Sequence, residues 1–278
     1  KNYNQINKNL SNDLINTFIK NIIINDEKII NDKYVSKIKI NFNKHKIIDF
    51  FRNQNVPYVE YQPSKFLLII YEKDGINENL FTKNNNFYRY FNNNLNENNL
   101  FQIPNLDIND RFLLKKEDLK NKDYEKIKNF KNKYNVDDVI IVIASISKNK
   151  VIYNLILLSD EKFFEKKLDF NDYKFDIFFK IIENESIDMW KNINQIETDV
   201  VNLINCQVNY FNLGELKEIR NNLKNISIIK DININSLSYK SIQYDIYFYG
   251  NLKILKKIIK LNKLIINDNS DLCTIKLK

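Results

Sequence analysis

The 278 residues are 44% hydrophobic and 28% charged, an ordinary globular balance that excludes a disordered chain. That length predicts two or three domains, and no apolar run approaches the roughly 18 residues that span a bilayer, so a soluble chain is expected. The formal net charge of +8 invites an acidic partner, but only Arg52, Arg89, Arg111 and Arg220 supply guanidinium groups, the lysines are spread along the chain, and residues with AT-rich codons are favoured throughout, so the charge reads as a diffusely basic surface and not as a nucleic-acid site.

In chain order, Ser11, Asn12 and Asp13 form a capping-type start. Leu14, Ile15, Phe18, Ile19 and Ile22 then keep helical spacing, which predicts a helix over 12–24 and a polar turn at 25–27. Residues 34–42 alternate largely as a half-buried strand, and 44–52 return to helical spacing through Ile47, Ile48 and Phe51. After Pro63, residues 65–71 form a continuous apolar strand expected to be buried on both faces. A short aromatic helix over 87–95 lies among asparagine runs, and a short strand over 100–104 ends at Pro104. An amphipathic helix over 118–134, a buried strand over 136–146, a turn over 147–150 and a returning strand over 151–158 follow. A long helix over 174–193 carries Trp190.

The last third reads strand 203–211, helix 213–223, strands 226–236 and 238–249, helix 250–261 and a final strand 263–277. That βαββαβ order is the ferredoxin-like split motif. Gly214 and Gly250, two of three glycines, fall at strand-to-helix junctions, which points to a backbone requirement. The fold class is therefore α/β (α+β): a unit over 1–62, a middle open-sheet domain over 63–173, a connecting helix over 174–199 and a ferredoxin-like domain over 200–278.

Candidate chemistry is sparse. A single histidine, His45, between Lys44 and Lys46 reads as a surface residue, and two cysteines are too few for a disulfide scaffold or a zinc site. Cys206 and Cys273 fall on the first and last strands of the final module, antiparallel neighbours in the usual order, where buried free thiols are favoured over a bridge. Asp107 and Asp110, beside Arg111, form the best polar cluster; a cap after Pro104 is favoured over cation binding or acid/base work. Asp137 and Asp138 read as a strand-entry pair, and Trp190 as core in preference to a partner anchor. No catalytic residue, metal ligand, cofactor or small-molecule ligand is predicted.

Several segments together resemble a proteobacterial periplasmic family known as domain of unknown function number two-zero-six-six. They are 34–51 with Asn55, Val56, Pro57 and Tyr58; the strand from Pro63 to Tyr71; 80–91; the Pro-x-x-Asp-x-x-Asp run from Pro104 to Asp110; 133–139; and Met189-Trp190-Lys191. Asn55 stands where the family has Gly, and Gln62 where it has Arg. The resemblance implies export to the periplasm and no activity to carry over; the chain begins at Lys1, so a signal peptide or another leading segment is expected to have been removed. The middle domain also resembles, by fold alone, the amino-terminal domain of the TolB type.

The expected function is a non-enzymatic interaction or assembly module docking unknown envelope proteins. The alternative is nucleic-acid binding on the ferredoxin-like sheet, although Tyr244, Tyr247 and Tyr249 lack the usual glycine-aromatic context. A hydrolase using Asp107 and Asp110 ranks below both.

Overall fold

The computed structural model describes residues 10–93, 100–147, 150–171, 174–268 and 273–278, with the backbone alone at 170 and 171. The protein is a mixed α/β chain with nine helices and three sheets among the described residues. It divides into two compact units, one made of 1–61 with 194–278 and the other of 62–193.

The second unit is built on β3 (Phe66–Asp74) and β6 (Val139–Ser147), which run parallel with Leu68 opposite Ile140. β7 (Lys150–Ser159) and β8 (Lys162–Asn171) extend the sheet antiparallel; β4 (Asn77–Asn79) and β5 (Phe101–Gln102) flank β3. Leu67, Ile69 and Tyr71 point into one core with Leu119, Ile127 and Phe130. On β7, Tyr153 meets Phe178 of the long helix Phe175–Ile193, ring to ring at 5.2 Å. Two covered faces explain why these strands are continuously apolar and not alternating.

Between β3 and β6 lie α3 (Asn86–Asn93), α4 (Ile108–Leu113), α5 (Lys116–Lys120) and α6 (Tyr124–Lys133). The single helix expected over 118–134 is thus two. The break falls at Lys122, whose φ is +53°, and Asp123 caps the new helix by accepting from the Lys126 N–H. β8 has no counterpart in the sequence reading: its run Lys162-Phe163-Phe164-Glu165-Lys166-Lys167 is highly charged, and the turn before it places Asp160 and Glu161 at positive φ. The turn expected over 147–150 includes 148 and 149, which lie outside the described residues.

The first unit holds β9 (Val201–Asn209), α8 (Leu213–Lys224), β10 (Ile229–Ser238), β11 (Ser241–Tyr249), α9 (Leu252–Leu261), β12 (Leu264–Asn267) and β13 (Cys273–Leu277). The long helix Phe175–Ile193 is α7 in this numbering. The sheet order is β10-β11-β9-β13-β12. The expected single last strand is a hairpin of two, and β13 runs parallel to β9, whereas an antiparallel neighbour was expected. Reversing the chain once more after β12 is what turns β13 round. Asn212 and Asn251 cap α8 and α9, and Ile219, Leu223, Ile254, Leu255, Ile258 and Ile259 cover the buried row Ile242, Tyr244, Ile246 and Phe248 of β11. Gly250 has φ +78°, a conformation L side chains rarely adopt, which accounts for a glycine there.

The same unit contains α1 (Asn12–Phe18), β1 (Ile19–Ile30), β2 (Lys33–Phe42) and α2 (Lys44–Asn53). Ile48 of α2 and Tyr58 belong to the core of the β9–β13 sheet, and the Ile196 N–H donates to the Tyr58 carbonyl at 2.8 Å. Where 1–62 was expected as a unit of its own, Ile48, Phe51, Tyr58 and Tyr61 thus pack with the C-terminal sheet in one compact unit. The helix expected over 12–24 stops at Phe18, because the isoleucines from Ile19 onward pair with β2. The reversal falls at Asn31 and Asp32, both at positive φ, and not at 25–27.

Candidate interaction surface

Pro104 is buried, and the chain after it turns through Leu106 at φ +59° into α4. Asp107 is the N-cap of α4 and accepts from the Asp110 N–H at 2.8 Å; that bond first, and Lys133 after it, hold its carboxyl below the usual range. Asp110 is fully buried, and donors take both of its oxygens: the Leu106 N–H at 2.9 Å on one, Lys133 Nζ at 2.7 Å and the Tyr134 hydroxyl at 2.6 Å on the other. Burial, then this bond to Asp110, pushes the Tyr134 hydroxyl up to about 12. An ammonium group sits where a cation would bind, so the cluster clamps α4 to the end of α6.

The remaining sequence candidates also sit in structural positions. Trp190 is buried, and its Nε1 donates to the buried Asp138 at 3.2 Å. The Asp137 carbonyl accepts from Lys131 Nζ at 2.9 Å, and His45 is exposed on α2. Among the described residues no three His, Cys, Asp or Glu side chains gather closely enough to hold a metal ion.

Cys206 and Cys273 are directly paired across β9 and β13, 4.4 Å apart at Cα, and are joined by a disulfide. This corrects the expectation of free thiols. That expectation rested on the unusual geometry a bridge between neighbouring strands needs; here the two residues are direct partners with a Cα separation at the short end of the range a bridge tolerates.

One buried polar cluster has no sequence signal. Arg52 of α2 donates to the Tyr58 hydroxyl at 2.8 Å and to the Ser227 carbonyl, and its guanidinium lies 4.4 Å over the Tyr249 ring. Glu60 accepts from the Ser227 hydroxyl and pairs with Lys44 at 2.8 Å. Burial, partly offset by Arg52, raises the Tyr58 hydroxyl to about 12. Ser227 is 167 residues from Glu60 and 175 from Arg52, so no local pattern could announce the cluster. It ties α2 to the C-terminal sheet.

Two surfaces are apolar and open. The first is a groove of about 630 Å³ between the start of α8 and the β10–β11 hairpin. Phe211, Leu213, Leu237 and Tyr239 line it at 83, 75, 68 and 89% exposed, with Lys240 beside them. The second is the β1–β2 ribbon. Cross-strand partners share a face, so Ile22/Ile40, Ile24/Ile38 and Ile29/Tyr34, with Phe42, make one mainly apolar face, interrupted by Ser36 and by Glu27, which accepts from the Tyr34 hydroxyl at 2.6 Å. Asn21/Asn41, Ile23/Lys39, Asn25/Lys37, Lys28/Val35 and Ile30/Lys33 make the other, largely polar face. The strand over 34–42 was expected to be half-buried, but among the described residues neither face of the ribbon is covered. Exposed apolar groups in contiguous sets, unlike scattered ones, mark interaction sites.

No protein-family model matches the chain, and no curated protein matches it. Among solved structures it is similar to the LpoB C-terminal domain from Salmonella enterica, at 15% identity over 40% of this chain and 85% of that one, with a TM-score of 0.27. A likeness that slight says nothing about what this chain does.

Proposed function

We propose that the chain is an exported envelope protein that binds other proteins and is not a catalyst. The open apolar groove at Phe211, Leu213, Leu237 and Tyr239 carries the binding half of this reading. Large aromatic and aliphatic side chains held at 68–89% exposure cost solubility unless a partner covers them. The disulfide supports export, because such bonds persist in oxidising compartments such as the periplasm. Membership of the periplasmic family resembled in sequence belongs to the same proposal.

Nucleic-acid binding on the sheet draws less support. Tyr244 faces the core, while Asp245 on the opposite face takes bonds from Asn205 at 2.7 Å and Asn235 at 3.1 Å, which sets a carboxylate where a phosphate would approach. Hydrolysis by Asp107 and Asp110 is opposed by the saturation of Asp110.

A photo-cross-linking residue at Tyr239 in cells should give one discrete protein adduct, while the same residue at the exposed Lys260 of α9 should not. Equal labelling from both positions would remove the groove as the docking site. A cytoplasmic pool with reduced cysteines would sink the export reading.

A further inference from the structure

We infer that the groove, together with one flank of α8, takes an acidic segment of a partner protein, whose apolar residues enter the groove while its carboxylates run along a row of cations on the helix. The inference rests on the reading of the groove as the docking site and adds the chemistry of what docks there.

The row follows from helical spacing. Leu213 lines the groove, and Lys217, Arg220 and Lys224 follow it at steps of four, three and four residues, which keeps all of them on one flank of α8. Leu216, Ile219 and Leu223 turn to the core. Glu215 and Glu218, the carboxylates of α8, fall on the flank away from the row. Glu215 is also engaged elsewhere, accepting from the Phe211 N–H at 2.7 Å. Lys217, Arg220 and Lys224 are exposed, and among the described residues neither they nor Lys240 is ion-paired. Lys240 stands on the hairpin side of the groove, and no acidic residue lines it. Tyr244 ties Arg220 to the same place: burial first raises its hydroxyl, then Arg220 lowers it and the groove-lining Tyr210 raises it.

A helix rises about 1.5 Å per residue, so the row extends roughly 16 Å from the groove, the reach of about five residues of extended chain. An apolar end joined to a line of cations matches a short chain with apolar residues at one end and acidic residues along the rest. Exposed ion pairs are individually weak, so the groove supplies most of the affinity and the row selects the sign of the charge. A second copy of this chain is disfavoured, because it brings a net charge of +8. Single-stranded nucleic acid needs open ring faces for its bases, yet the Lys240 ammonium lies 5.4 Å over the Tyr239 ring, and Leu213 and Leu237 are aliphatic.

The probe is a pair of dye-labelled synthetic peptides, a phenylalanine and a leucine joined to four glutamates in either order, titrated against the full chain by fluorescence anisotropy. At least one should bind with a Kd below about 200 μM at low salt and weaken as salt is added. Changing Lys217, Arg220 and Lys224 together to Gln should weaken it about tenfold with an unchanged circular dichroism spectrum, whereas Glu218→Gln should not weaken it. The same three substitutions should reduce the cross-link from Tyr239 in cells by about the same factor. A cross-link undiminished by them overturns the inference and leaves the groove reading standing. Peptide binding that is absent or indifferent to them also overturns it, as does tighter binding of oligothymidylate or of phosphatidylglycerol vesicles. No cross-link from the unsubstituted groove removes the groove reading, and this inference with it.

Discussion

Ile22, Ile23 and Ile24 on β1 and Ile140, Ile141 and Val142 on β6 are the same kind of run, and they end in opposite environments. The first three are 53, 38 and 48% exposed; the second three are wholly buried. Each run forms a strand because β-branched side chains suit the pleat. Burial is decided by what surrounds the strand. β6 lies between β3 and β7, in a sheet covered on both faces, whereas β1 has only β2 beside it. Strand formation is therefore local, and burial is a property of the assembled unit.

The contrast can be broken or sharpened by substitution, each followed by urea unfolding. Cys206→Ala with Cys273→Ala should have the largest effect, lowering stability by about 4 kcal/mol, because the bridge closes a loop spanning 67 residues of sequence. Ile141→Ala should cost about 3 kcal/mol by leaving a cavity in the fully buried strand. Ile38→Thr should cost less than about 0.5 kcal/mol. A loss there equal to that of Ile141→Ala would mean the ribbon is packed within its own chain, and the contrast would collapse.

The smallest effect concerns pH. Asp107 is held below its ordinary value of 3.8 chiefly by the Asp110 N–H. A depressed carboxylate contributes stability that is present above that ordinary value and lost as pH falls through the lower folded one. Asp107→Asn keeps a capping side chain but has no proton to gain, so its unfolding midpoint should change less between pH 5 and pH 2 than that of the wild type.

Much of the fold was legible. The both-face strand β3, the buried β6 and the order from β9 to α9 followed from apolar periodicity. Ile19, Ile22 and Ile23 fit helical and strand spacing alike, and only their pairing with β2 decided between them. β8 escaped because its charged residues hide the alternation, and the β12–β13 hairpin escaped because its two strands are only four and five residues long. At the polar cluster, the cap by Asp107 was readable from its place after Pro104. Lys133 and Tyr134, which saturate Asp110, lie 23 and 24 residues further on and were not. The apolar groove escaped for a related reason: it joins the start of α8 to the tip of a distant hairpin, so no single segment contains it.

The position of β13 has a consequence for the order of assembly. It is the last strand of its sheet to be made, yet it lies inside the sheet, between β9 and β12. Until it emerges, β9 has an open edge and Cys206 has no partner. A growing chain can therefore form β9, β11 and β10 early, but the join to β12 waits for the final residues of the module. A chain interrupted just before β13 would lose the strand that bridges the two parts of the sheet, and would present β9 as a template for a stray strand.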